Sequence, residues 1–221
     1  MEWQLPIQKM EISNIHIGSP WLRGSHTVIQ KPLAPLSYFG PQFRLPFVSL
    51  LFPPLLVKEY NPITGRLALD MSESNLACIK LNTLQETLTN AIFYHQYSWF
   101  KTDYSKEEIK AGFQHIYNDS TIYIHCPIQQ QGKGIPVYDK QEWKSLSSDV
   151  IQAGMRIRVG IKIHGISFLH RSENDNQRGA NDNQRGAYDP QRAQNGTNPQ
   201  QEKWTGRCRL QHRIQGVIIQ T

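Results

Sequence analysis

Cysteine is scarce in this sequence. Of 221 residues only Cys78, Cys126 and Cys208 are cysteines, far apart and with no Cys-x-x-Cys pair. An odd, scattered set excludes a disulfide framework and fits a reducing, intracellular compartment. Nor do the eight histidines fall at zinc-ligand spacing with them, so no structural metal is expected. Long hydrophobic runs are also missing. The most apolar stretch, Leu45 to Val57, is 13 residues long and broken by Pro46, Pro53 and Pro54, too short for a bilayer-spanning helix. The opening Met1-Glu2-Trp3-Gln4-Leu5-Pro6 lacks the basic and apolar regions of a signal peptide. The chain therefore reads as not secreted and without a membrane partner. The Asn118-Asp119-Ser120 and Asn195-Gly196-Thr197 tripeptides then carry no glycosylation meaning.

Catalytic signatures are absent too. The sequence has no Gly-x-x-x-x-Gly-Lys-Ser/Thr loop, no His-Glu-x-x-His and no Gly-x-Ser-x-Gly. Gly132-Lys133-Gly134 is too short for a phosphate loop. Asp70, Glu73, Glu107, Glu108 and Asp119 would bind metal only if the fold gathered them. No enzyme and no cofactor is expected.

What is present is a globular balance, 38% hydrophobic and 19% charged, with a net charge of +6. One domain over 1–221 with a full core is expected. Residues 1–60 read as turn-rich β structure. Ile15 and Ile17 alternate around His16, and Phe43, Leu45, Phe47 and Leu50-Leu51-Phe52 supply core. Asn61-Pro62-Ile63-Thr64-Gly65 is a turn signal, followed by a short strand, Leu67 to Met71. Ala77, Leu81, Leu84, Leu88, Ala91, Ile92 and His95 then recur at helical spacing, with Ser72 or Ser74 as cap. A second helix starts at the capping box Ser105-Lys106-Glu107-Glu108, with Ile109, Phe113 and Ile116 as its buried stripe. Trp99 and Phe100 are expected to pack the two helices together.

From Thr121 the pattern is β again. Ile122, Ile124 and Cys126 face one way, Tyr123 and His125 the other. Gln129 to Gly134 reads as a flexible loop, and 136–150 as a connection with a helical turn. Met155 to Phe168 is the strongest strand: Met155, Ile157, Val159, Ile161 and Ile163 alternate with Arg156, Arg158, Gly160, Lys162 and His164. Residues 171–202 are low-complexity. Asn174-Asp175-Asn176-Gln177-Arg178-Gly179-Ala180 repeats unchanged at 181–187, and the segment reads as a disordered insertion. A last strand runs from Trp204, with Trp204, Cys208, Leu210 and Ile214 inward and Arg207, Arg209, Gln211 and Arg213 outward. It is expected to pair antiparallel with 155–168, the insertion forming the hairpin tip.

Those two strands contain no Asp or Glu. Rows of opposed cations repel each other. The residues expected to bind phosphate are Arg156, Arg158, Lys162, His164, Arg207, Arg209 and Arg213, through charge-assisted contacts. Tyr123 and His125 are expected to provide a stacking platform.

The order of elements from about residue 40 onward resembles that of the single-stranded-DNA-binding proteins of large DNA viruses of eukaryotes. The resemblance rests on Leu69-Asp70-Met71 leading into a helix, Trp99-Phe100, and the capped helix at Ser105. It rests also on the strand through Gly165-Ile166-Ser167-Phe168 and a final strand from Trp204. It implies an OB-like antiparallel β-barrel with two helices (α+β), binding single-stranded nucleic acid without sequence preference in replication, recombination or repair. DNA is favoured over RNA, although nothing in the sequence reads a 2′-hydroxyl. It further implies a possible homo-oligomer or replication-protein partner. Many such proteins carry an acidic C-terminal tail. This sequence ends at Gln220-Thr221, so recruitment through a tail is not expected. The competing expectation is a structural or assembly protein, a minor virion component, using the Pro-rich apolar segment 32–57 as its contact surface.

Overall fold

The structure is a computed structural model that describes residues 4–21, 32–126, 135–141, 144–171 and 203–219. In chain order the elements begin with strands Leu5–Pro6 (β1), Ile15–Ile17 (β2), Leu33–Phe39 (β3), Arg44–Leu45 (β4), Val48–Leu51 (β5), Leu55–Asn61 (β6) and Arg66–Asp70 (β7). Helices Asn75–Phe100 (α1) and Lys106–Gly112 (α2) follow. Then come Phe113–Gln114 (β8), Tyr117–Asn118 (β9), Thr121–His125 (β10), Val137–Asp139 (β11) and Ser145–Leu146 (β12). The last two strands are Arg156–Arg171 (β13) and Lys203–Ile219 (β14). The fold is mainly β with two helices.

The alternation is expressed from Arg156 to His164, apart from the buried Gly160, and gives way at Gly165–Phe168 to a run buried on both faces. Ile157, Val159, Ile161 and Ile163 are completely buried. β13 pairs antiparallel with β14 along its length, from Ile157 opposite Ile219 to Arg171 opposite Lys203. The expected hairpin is therefore present, while its insertion, at 172–202, lies outside the described residues, as does the expected loop at 129–134. On its other edge β13 pairs in turn with β6, β5 and β3. This double pairing makes β13 the centre of the sheet, and a central strand buried on its apolar face needs an unbroken run of aliphatic side chains.

α1 lays Ala77, Leu81, Leu84, Leu88 and Ile92 into the core. Ser74 occupies the cap position but makes no side-chain cap, and His95, expected in the stripe, is exposed and stacks on Trp99. Trp99 and Phe100 do not lie between the helices. They form the last turn of α1 and pack on the hairpin, against Phe168 at 6.1 and 4.7 Å. α2 has both halves of its capping box, Ser105 Oγ accepting from the Glu108 N–H and Glu108 from the Ser105 N–H. It stops at Gly112, earlier than its apolar pattern suggests. An added Cβ at Gly112 would collide with the Gly206 carbonyl, so the chain passes against β14 there. Phe113 and Gln114 then pair with Cys208 and Arg209 as strand. Phe113 and Ile116 stay buried, the first on β8 and the second in the bend before β9.

In the segment 32–57 most of the apolar side chains turn inward, while Phe39 is exposed. Ala34, Leu36, Tyr38, Val48, Leu50, Phe52, Leu55 and Val57 are all core. The expected antiparallel barrel is not formed. The strand path β12-β11-β14-β13-β6-β7-β10-β9 ends on two separate edges, and the β1–β5, β11–β14 and β8–β14 pairs are parallel. Closure would need a backbone ladder between β10 and β14. The His212 ring stands between them instead, its Nε2 accepting from the His125 N–H at 3.4 Å. A side chain wedged between two backbones keeps them too far apart for ladder bonds.

Candidate nucleic-acid interface

Two concavities follow one another along β14. The first opens in the gap where a barrel would have closed. It has a volume of about 410 Å³ and is lined from β10 by Tyr123 and His125, from β14 by Arg209 and Gln211, and from β7 by Arg66. Arg66 lies directly across the ladder from His125. Its guanidinium sits 5.0 Å from the centre of the Tyr123 ring, a cation–π stack that fixes both side chains. The expected Tyr123 and His125 platform is thus brought beside Arg209.

Arg66 itself was missed by the sequence reading. The strand at Leu67 was started one residue late, and the row Arg66, Ala68, Asp70 was not followed back to its first member.

Two further histidines border this groove. His115 meets the Gln85 amide through Nε2. Burial, with Lys110 nearby, holds His115 below the usual histidine range. His212 is also held low, by burial first and then by His125 and Arg209, against the pull of the Leu210 carbonyl. A histidine whose native pKa is depressed leaves the unfolded chain with more bound protons below about pH 6.5, so stability rises with pH through that window. We expect the urea midpoint to fall between pH 7.5 and 5.5, where carboxylates do not titrate. His212→Gln should flatten that fall.

The second concavity, about 320 Å³, carries Lys162, His164 and Arg213. Lys162 and Arg213 are directly opposed across the β13–β14 ladder, and like charges so placed destabilise a sheet. The Lys162 ammonium lies 3.5 Å from the centre of the Phe47 ring. Gly160 and Gly216, also opposed, are in its lining, with the Gln4 amide lying over Gly160. Tyr138, Gln4 and Gln215 line the walls. Among the described residues no carboxylate lines either concavity.

The remaining expected residues lie elsewhere. Arg156 does not join the basic row. One guanidinium nitrogen, Nη2, donates to both Glu73 carboxylate oxygens, at 3.0 and 2.8 Å, just before α1, across a distance in sequence that no local pattern reports. Arg158 is half-buried opposite Ile218, and its Nε is buried without a hydrogen-bond partner among the described residues. Arg207 is exposed near the distal end of the hairpin.

The carboxylates are dispersed as well. Asp70 accepts from the Ser72 N–H and pairs with Lys58, contacts that lower its pKa. Glu108 is used in the helix cap. No cluster of three His, Cys, Asp or Glu among the described residues could hold a metal. Burial pushes the Cys126 and Cys208 thiols up to about 12, which leaves both protonated and inert. No helix among the described residues is long and apolar enough to cross a membrane. No family model, no curated protein and no solved structure matches this chain.

Proposed function

We propose that this protein binds single-stranded nucleic acid without sequence preference and without catalysis, in replication, recombination or repair. One observation carries the reading: two successive hollows on β14 are lined by cations and aromatics, with no carboxylate among their described residues. Arg209 and Arg213 are four residues apart, so their Cα atoms lie about 13 Å apart along the strand. They form a track, with His164 and Lys162 beside one end and Arg66 and His125 beside the other. Guanidinium groups bind phosphate oxygens through paired, charge-assisted hydrogen bonds. Tyr123, already stacked by Arg66 on one face, offers a surface for an unpaired base. DNA is the favoured strand and RNA the competitor to compare.

Four cations, Arg66, Lys162, Arg209 and Arg213, line the hollows, and Arg207 is exposed further along β14 toward the hairpin's distal end, which makes five to meet phosphate. Neutralising about five phosphates on a single strand gives a slope of about −3.5 for log affinity against log salt. Fluorescence anisotropy of a labelled oligothymidine at several salt concentrations measures it. A slope near zero removes the reading.

An assembly role is the second reading. Its support moves from 32–57 to α1, where Leu76, Ile79, Tyr94 and Tyr97 are exposed. A stoichiometric complex stable to high salt and nuclease would favour it.

A further inference from the structure

Glycine inside a strand weakens it, because the backbone loses more freedom and no side chain packs. The opposed pair Gly160 and Gly216 lies four pairs in from the open end of the longest hairpin, still inside the ladder, so each glycine needs a reason. For Gly160 packing supplies one. A Cβ there would strike the Gln4 side-chain amide, and that amide donates to Gln215 Oε1 at 3.2 Å, which also accepts from Ser49 Oγ at 2.5 Å.

Gly216 has no such reason. A Cβ there would meet only the Pro136 carbonyl at 3.4 Å and the Tyr138 ring at 3.8 Å, both ordinary contacts. Its φ is not positive, since the positive-φ glycines among the described residues are Gly65, Gly154 and Gly206. The ladder does shift register beside it, between Gly160 and Ile161. That shift does not call for glycine at 216, because the bulge type that requires one holds it in the left-handed region. What remains is its place in the lining of the second concavity. A strand glycine that neither packing nor dihedral demands marks a place where something approaches the backbone closely.

We infer that the trough over Gly216 is a nucleotide subsite, which takes one base flat against the glycine backbone beside Tyr138. The nucleotide's phosphate is directed to Lys162 and Arg213. The geometry suits this division. The Lys162–Arg213 pair is the next same-face step from the glycine pair, about 7 Å along the strand, within the reach of a nucleotide from base to phosphate. The 320 Å³ volume is at the small end for a ligand site and suits a single nucleotide. The amides of Gln4 and Gln215 stand at the wall, where a base edge would be. The inference rests on the single-strand reading and adds a base-recognising seat to it.

The test uses the full chain, ¹⁵N-labelled, titrated separately with 5′-dTMP and with deoxyribose 5-phosphate, which has the anion but no base. The expected result is that dTMP moves the amide resonances of Gly160, Gly216 and Tyr138 and binds at least tenfold tighter than the sugar phosphate. Gly216→Val should erase that tenfold preference while melting at or above the wild-type temperature. Gly216→Ala, whose methyl would meet the Pro136 carbonyl at 3.4 Å, should reduce it partly and covers the case of a misfolded valine variant. Equal affinity for the two ligands overturns the inference, because an anion site alone would then suffice. So do dTMP shifts confined to the Arg66–Tyr123 groove, even if an oligothymidine still binds with a steep salt dependence. Binding of dTMP in the trough with no oligothymidine binding would support the subsite and remove the single-strand reading instead.

Discussion

Reversing Arg209 and Arg213 together to glutamate is expected to raise the Kd for oligothymidine at least a hundredfold at moderate salt, with no loss of thermal stability. Both side chains are exposed, so neither change buries a charge. Each removes a charge-assisted phosphate contact worth about 1.5–3 kcal/mol, and two such contacts make about 3 kcal/mol or more, a factor of at least about 100. The stability side separates this from simple damage. Arg213 faces Lys162 across the ladder, so Arg213→Glu replaces a repulsive pair with an attractive one, a gain of about 0.2–1 kcal/mol. The melting temperature should hold or rise slightly while binding disappears.

Arg156→Ala is the matched control. Its pair with Glu73 is exposed, with the two side chains 47% and 72% accessible, and such pairs are worth about 0–1 kcal/mol. Binding should change less than about twofold. Anisotropy titrations and thermal melts of both variants check these outcomes. A double variant that binds within about threefold of wild type would end the case for β14 as the binding strand.

The difference between Arg209 and Arg156 shows what the sequence could convey. Alternation from Met155 to His164 implied one inward apolar face, because a strand's side chains have a period of two. The structure bears that out. Local chemistry was equally readable at Ser105 and Glu108, where cap and box lie within one turn. Contacts distant in sequence left no such trace. Arg156 and Glu73 are separated by 83 positions, and alternation says only that Arg156 is not core. Gly112 was similarly opaque, since its close approach to Gly206 comes from the far end of the chain. The helical stripe was followed through to Ile116 although the backbone had already turned to strand. Barrel closure was the largest error. β10 meets β14 through a histidine ring on a backbone N–H and not through a ladder, and hydrophobic patterning reports faces, not edges.

Trp204→Ala is expected to cost about 3–5 kcal/mol of stability. The indole is 1% exposed and is the junction between hairpin and helices. Its ring centre lies 5.2 Å from Phe100, 5.3 Å from Tyr104 and 5.4 Å from Phe168. The surrounding elements are thus tied to one side chain, and truncation leaves a cavity that the long helix above cannot easily collapse into. Polar ties add to the loss. The indole N–H donates to the Arg207 carbonyl at 2.8 Å, closing the backbone over Gly206, whose φ is 77°. For a chain of this size the melting temperature should drop by about 6–20 °C. Trp204→Phe keeps most of the packing but leaves the Arg207 carbonyl without its donor, a loss of about 1–3 kcal/mol. Because that carbonyl belongs to the strand that presents Arg207 and Arg209, the phenylalanine variant should bind oligothymidine more weakly than its stability loss alone explains. Urea denaturation beside anisotropy at 25 °C resolves the two effects. A Trp204→Ala variant that loses under about 1 kcal/mol would mean that the helices hold their place on the hairpin without it.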